Sequence, residues 1–190
     1  MMVVASRVCL RRPTRVDRNR ETKLLTAMSL NRHLSYARGY LELGMVAEAA
    51  AELDQVPIAT DEAIDILALR MAVLQEQKNW PALQASAAEF VRRRPEEAGA
   101  WITWAYATRR ATSLAAAEQI LRSAESQHPT EPTIQFNLGC YACQRGDLVE
   151  ARTRVDRAIA LDDTFRAMAA TDSDLAPLRA AENADCPPGP

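Results

Sequence analysis

Small apolar residues return along the chain at a fixed interval. The segment Ala37-Arg38-Gly39-Tyr40-Leu41-Glu42-Leu43-Gly44, followed by Ala49, is echoed by Gly139-Cys140-Tyr141-Ala142-Cys143-Gln144-Arg145-Gly146, followed by Ala151. Gly44 and Gly146 are 102 residues apart, as are Ala49 and Ala151, which is three periods of 34. Four repeats therefore fit without a gap, at 30–63, 64–97, 98–131 and 132–165. Their eighth positions hold Ala37, Met71, Ala105 and Gly139, and their twentieth hold Ala49, Leu83, Ala117 and Ala151. The twenty-seventh hold Val56, Phe90, Ala124 and Ala158, and the thirty-second hold Asp61, Pro95, Pro129 and Asp163. A period of this length means a short supersecondary unit that buries its apolar face by stacking on its neighbours. The abundance of Ala, Leu, Glu and Arg favours helix for that unit. Few aromatic residues and only six glycines argue against a β-sandwich.

Over residues 30–165 this pattern resembles the tetratricopeptide repeat family. The resemblance implies a pair of antiparallel helices, A and B, in each repeat. Small residues at positions 8, 20 and 27 let the helices approach, larger ones at 4, 7, 11 and 24 fill the core, and proline often closes the unit at 32. Repeat 3 fits with Trp101, Trp104, Ala105, Ala117, Leu121, Ala124 and Pro129. Repeat 4 fits with Leu138, Gly139, Ala151, Val155 and Ala158, and repeat 1 with Tyr36, Ala37, Tyr40, Ala49 and Leu53. Repeat 2 departs most: Met71, Leu83 and Phe90 stand where small residues are expected, and Arg70 stands at position 7. Local chemistry agrees. Gly44 and Gly146 stand where helix A ends, as left-handed caps. Asp147 can cap the next helix, and Asn79 precedes Trp80-Pro81, a first-turn proline. The stretch 164–181 reads as an amphipathic closing element, in which Thr171-Asp172-Ser173-Asp174-Leu175 turns and restarts a helix with Leu175 and Leu178 inward. The fold class implied is all-α, a right-handed superhelical solenoid of four helix pairs with a C-terminal closing helix.

In this family, positions 2, 5, 9, 12 and 13 of helix A line a concave groove. Carried onto this chain, they give a partner-binding set of Leu34, Arg38, Ile102, Tyr106, Arg109, Phe136 and Cys140. Apolar pockets with a few fixed charges suit a peptide or a partner helix. The plainer alternative is that Ile102 and Phe136 pack between repeats. The lysine–asparagine–arginine clamp by which some members hold acidic chaperone tails is absent, since its places hold Leu34, Arg38, Asn137 and apolar residues. The resemblance thus implies a non-catalytic adaptor or scaffold that binds a protein segment. A second subfamily, the chaperones of type III secretion translocators, matches in length and apolar groove, but its N-terminal extension is amphipathic rather than basic.

Charge separates the N-terminus from the rest. Residues 1–23 carry seven basic and two acidic residues, whereas the whole chain is at -2. Residues 1–27 are read as a basic, disordered extension, residues 28–181 as the repeat domain and 182–190 as a frayed tail. Met1–Ala5 is too short for a secretory core and Arg11-Arg12 lacks the apolar stretch an export signal needs, so a cytoplasmic protein is expected, with Met28 a plausible first residue. No run of 18 apolar residues exists, which excludes a transmembrane helix. The near-neutral balance gives no reason to expect nucleic acid as partner, and Arg92-Arg93-Arg94 reads as a solvated helix end.

Cys140 and Cys143 form a C-x-x-C, the one feature that points to thiol redox or metal chemistry. It lies late in helix A rather than at a helix N-terminus, where the dipole would lower a thiol pKa. No second ligand pair accompanies it, so neither metal nor cofactor is expected. His33 and His128 are read as structural. Without a Gly-rich phosphate loop, H-E-x-x-H or G-x-S-x-G, nothing indicates an enzyme. A third reading is self-association through the apolar end of repeat 1.

Overall fold

The computed structural model describes residues 30–56 and 63–185. The expectations for residues 1–27, for Asp61 and for the last five residues fall outside them. The chain divides into two compact parts, 1–60 and 61–190. Among the described residues there is no strand.

The first part contains α1, over residues 30–42, and α2, Val46–Asp54. Ala37 and Ala49 are fully buried and Leu53 nearly so, as their repeat positions require. Gly44 ends α1 at φ 71°, with Met45 N–H donating to Tyr40 O at 2.8 Å and Gly44 N–H to Leu41 O at 3.0 Å. This paired bond pattern is the Schellman cap that a left-handed glycine permits. His33 Nδ1 lies 2.6 Å from Glu52 Oε2 and ties α1 to α2.

The second part holds three helix pairs: α3 (Ala63–Glu76) with α4 (Trp80–Arg93), α5 (Ala98–Ala111) with α6 (Leu114–Gln127), and α7 (Pro132–Gln144) with α8 (Leu148–Leu161). Each helix packs on the next in sequence, and the short loops make neighbours antiparallel. The B helices start at Trp80, Leu114 and Leu148, 34 residues apart. The residue before each is its cap: Asn79, Ser113 and Asp147 accept from Ala82, Ala116 and Glu150 N–H at 3.4, 3.2 and 3.0 Å. Ser113 does not stand out in the sequence by itself, yet it lies one 34-residue period from both Asn79 and Asp147.

Repeat 2 keeps the register despite its bulky residues. Leu83 is fully buried and Met71 nearly so, packed with Ala87 and the Ala107 of α5 and ringed by Leu67, Leu74, Trp80, Phe90 and Trp104. Volume added at positions 8 and 20 faces alanines at Ala87 and Ala107, so the small and large places are exchanged. Repeat 2 also lacks a glycine at its turn. Lys78 takes the left-handed conformation there, at φ 54°, and Asn79 N–H donates to Leu74 O at 2.9 Å as in the glycine caps.

Repeats 3 and 4 share the main core, with Trp101, Leu121, Ile134, Leu138, Tyr141 and Val155 around the small residues. At Gly139 a side chain would meet Val155 Cγ2 at 2.9 Å and Ala151 O at 3.2 Å. Only glycine allows α7 to lie this close to α8. Carbonyls at the repeat closures are also used. Pro95 O accepts from Trp101 Nε1 at 2.9 Å and lies 3.0 Å from His128 Nε2, while Pro129 O accepts from Arg157 at 3.1 Å.

A polar network bridges α6, α7 and α8. Arg122 donates to Glu118 at 2.7 Å and to Glu150 at 2.9 Å. Arg145 donates to Glu150 at 2.8 Å, and Arg154 to Glu125 and to the fully buried Gln135. Burial pushes the Glu125 carboxyl up, but hydrogen bonds from Arg154 and Gln135 and the charges of Arg154 and Arg157 outweigh it and hold it below its ordinary value. Glu150 is likewise lowered: burial opposes, and Arg122, Arg145 and Arg154 prevail.

The chain continues through α9 (Phe165–Thr171), a 3₁₀ turn at Ser173–Leu175 and α10 (Ala176–Asp185). The closing element is thus two short helices with a turn between them, as the Thr171–Leu175 stretch implied. Its break falls at Asp172, whose carboxylate accepts from Asp174 N–H at 2.8 Å. Helical backbone extends to Asp185, past the expected boundary at 181.

The turn of repeat 2 and the polar network both bear on stability. Lys78→Gly relieves a left-handed lysine and should raise stability by up to about 1 kcal/mol, read by chemical denaturation. An unchanged or lower midpoint would contradict the strained turn. The lowered Glu125 and Glu150 contribute stability that is present above about pH 4.3, the unfolded glutamate value, and is lost as pH falls through their folded values. The melting temperature should therefore drop below that pH. Glu125→Gln should cost about 0.5–1 kcal/mol at pH 7 and flatten the acid limb. An acid limb identical to wild type would show that the network is not its source.

Candidate partner-binding face

Within the second part, the A helices α3, α5 and α7 carry the groove positions. Their environments differ from one end to the other. Between α3 and α5 lies an open trough of ≈ 270 Å³ lined by Ala68, Met71, Ala72, Gln75, Phe90, Glu97, Gly99, Ala100 and Thr103. Its shape follows from the sequence, because Ala68, Ala72 and Gly99 put almost no side chain over the floor. At the middle of α5, Tyr106 is 38% exposed and stands edge-on to Trp80, with ring centroids 5.5 Å apart. Arg110 lies over both rings, at 5.2 Å from Tyr106 and 5.7 Å from Trp80, and donates to the Tyr106 hydroxyl at 3.2 Å. Cation–π contact holds this arginine in place while leaving it exposed.

At the α7 end the face is covered by the chain itself. Phe136 is 3% exposed and its ring packs on Phe165 of α9, centroids 5.2 Å apart. Cys140 is also buried, beside Asp172 and Asp174. Arg109 donates to Asp174 Oδ2 at 2.6 Å and lies 5.3 Å from the Tyr141 ring. Gln144 Nε2 donates to Asp174 O at 3.0 Å. Leu175 and Leu178 are buried in the same cluster, as expected for the closing element. Arg179 anchors the turn through Ala169 O at 2.8 Å and Asp172 O at 2.7 Å.

The seven residues singled out from the sequence therefore separate. In the first part Leu34 is half-buried and Arg38 exposed. Ile102 is half-buried on the α5 side of the main core, and Tyr106 is presented to solvent. Arg109, Phe136 and Cys140 are brought together, but under the closing segment: Phe136 and Cys140 are core residues here rather than an open groove floor. No sequence signal pairs Arg109 with Asp174, 65 residues later. Nor does any mark Trp80 as a neighbour of Tyr106.

Burial, with Asp172 and Asp174 adding to it, pushes the Cys140 thiol up to about 12, and burial pushes the Tyr141 hydroxyl up to about 12. A redox thiol needs the opposite shift. Cys140 and Cys143 are free and buried, and no group of three or more metal-binding side chains occurs among the described residues.

Helix pairs in a 34-residue register, with caps and closures at matching positions, decide the architecture. The fold is that of a tetratricopeptide repeat protein. Three solved structures bear this out. The tetratricopeptide repeat protein TTC0263 of Thermus thermophilus superimposes with a TM-score of 0.59 at 18% identity, over 80% of this chain and 82% of that one. A double mutant of MamA RS-1 gives 0.62 at 13% identity, over 83% and 96%. MamA AMB-1 gives 0.57 at 14%, over 88% and 95%. No family model and no curated protein sequence matches the chain.

The closing segment's energetics are open to measurement. Arg109 and Asp174 have side chains 30% and 26% exposed, so their ion pair is partly screened and Asp174→Ala should cost no more than about 1 kcal/mol. Leu175 is 1% exposed, and Leu175→Ala should cost about 2–5 kcal/mol in denaturant titrations. Equal losses for the two would mean that the apolar seat does not anchor this segment.

Proposed function

We propose that the protein is a non-catalytic interaction module, an adaptor or scaffold that binds a peptide or helix of a partner protein on the face of α3 and α5. The observation that carries this reading is the open trough beside Tyr106. An apolar floor of small side chains is flanked there by Gln75 and Thr103, with Arg110 beyond it on the same helix α5. Small floors accept large side chains, and a few polar groups at the margin fix register. A protein partner is favoured over nucleic acid because the Arg92-Arg93-Arg94 run is paired: Glu89 takes Arg92 and Arg93 at 2.7 and 2.6 Å, and Glu96 lies 3.5 Å from Arg94. No described helix is long and apolar enough to cross a membrane. A cytoplasmic setting belongs to the same reading, with the free cysteines in support.

The test is comparative retention. The full chain and a variant carrying Ala72→Arg and Tyr106→Glu, both exposed positions, are immobilised after circular dichroism confirms that both are folded. A protein from the source lysate retained by the first and lost from the second supports the trough as its site. Identical retention by the two removes the trough from consideration.

A further inference from the structure

The seat on α5 and α7 is filled by the chain's own residues, and its occupant shows what it accepts. We propose that the closing segment is a resident ligand, and that a partner segment of the pattern acidic–Leu–x–x–Leu displaces it from the Arg109 seat. This rests on the reading of the A-helix face as a partner-binding face, and names the partner's chemistry.

The polar groups that hold the segment are groove positions, namely Arg109 and Gln144, at positions 12 and 13 of their repeats. Each recognises a generic feature. Arg109 takes a carboxylate, from Asp174 at 2.6 Å. The Gln144 amide takes a backbone carbonyl at 3.0 Å, which any sequence supplies. Leu175 and Leu178 enter the apolar core at the spacing of one helical turn. A capped helix start with an acid before a leucine meets all three demands. Charge complementarity selects it, because the Arg109 guanidinium lies over the Tyr141 ring and finds its carboxylate in Asp174.

Displacement is feasible on geometry. Both members of the ion pair are reached by water, with 30% and 26% of their side chains exposed. The segment follows α8 in the chain, so its release breaks no connection between the helix pairs α3 to α8. A tethered segment has a high effective concentration, so a competitor needs contacts that the resident lacks. The trough supplies them, since no residue of the closing segment lines it. From Gly99 to Arg109 along α5 is about 15 Å, within the span of one short partner helix.

The probe is a fluorescent peptide of the chain's own residues 170–181, titrated by anisotropy against three full-length proteins. These are wild type, Asp174→Ala/Leu175→Ala, and that double variant with Arg109→Ala added. Binding to the double variant at least about tenfold tighter than to wild type, and lost with Arg109→Ala, supports the proposal. Binding indifferent to Arg109, or none to the folded double variant, overturns it. A double variant that dimerises by exchanging closing segments also overturns it, because the occupant would then be a second copy.

Should the double variant not fold, hydrogen exchange on wild type decides. Amides of 173–178 that exchange about tenfold faster than those of 134–143 support a displaceable segment, and equal protection overturns it. A partner lost from the trough variant while the peptide finds no seat would overturn this inference alone and leave the face reading standing.

Discussion

Close approach of helix A to helix B within each repeat is the constraint on which the rest of the structure depends. At Gly139 the clearance to Val155 and to the Ala151 carbonyl is under a methyl group's needs. Ala37 with Ala49 and Ala105 with Ala117 hold the equivalent places, all essentially without exposed surface. Such contacts bring two backbones near enough for the larger residues at neighbouring positions to interdigitate. The core then fills with Trp101, Leu121, Leu138 and Tyr141 rather than with solvent. Repeat 2 shows what is required and what is not. There the small residues are Ala87 and Ala107, and Leu83 and Met71 take the space they leave. Total volume at the crossing is constrained; which position contributes it is not.

Polar groups then fix how one repeat sits on the next. Apolar contacts between helices tolerate sliding, because the hydrophobic effect is non-directional. Hydrogen bonds do not. The Arg154–Glu125–Gln135 cluster, the Arg122 bridge to Glu150 and the carbonyls at Pro95 and Pro129 all cross from one helix pair to another. Gln135 is fully buried, so its amide must find its partners or the interface loses the desolvation energy uncompensated. Register between repeats 3 and 4 is specified in this way.

The fold was legible because its determinants are local and periodic. Gly44 and Gly146 take positive φ, Asn79 and Asp147 cap helices, and Leu175 and Leu178 turn inward, each as residue type and spacing imply. Lys78 in a left-handed turn was not legible, since nothing in a lysine marks that conformation. The face was legible only in part. Tyr106 is exposed as its repeat position implies, whereas Cys140 at the equivalent position and Phe136 at another groove position are buried. The difference comes from Phe165, at the last place of repeat 4, and from Asp174 and Leu175 beyond the repeats. Positional carry-over treats every repeat alike and so cannot register what covers the last one.

That cover resolves a conflict inherent in a stacked array. The last helix pair needs its apolar face shielded, because it has no following repeat. A full extra repeat would shield α8 and also prolong the face; a polar surface on α7 would remove the apolar seat that Phe136 shares with Phe165. Two short helices joined at Asp172 do something different. Phe165 meets the core from α9, and the 3₁₀ turn places Leu175 and the Asp174 carboxylate against α7 and Arg109. The contact is therefore divided between an apolar plug and a charge pair still reached by water. The plug satisfies the burial requirement. In the proposed displacement, the charge pair sets what else of similar pattern can occupy the same place, so the element that completes the fold would also define the chemistry of its face.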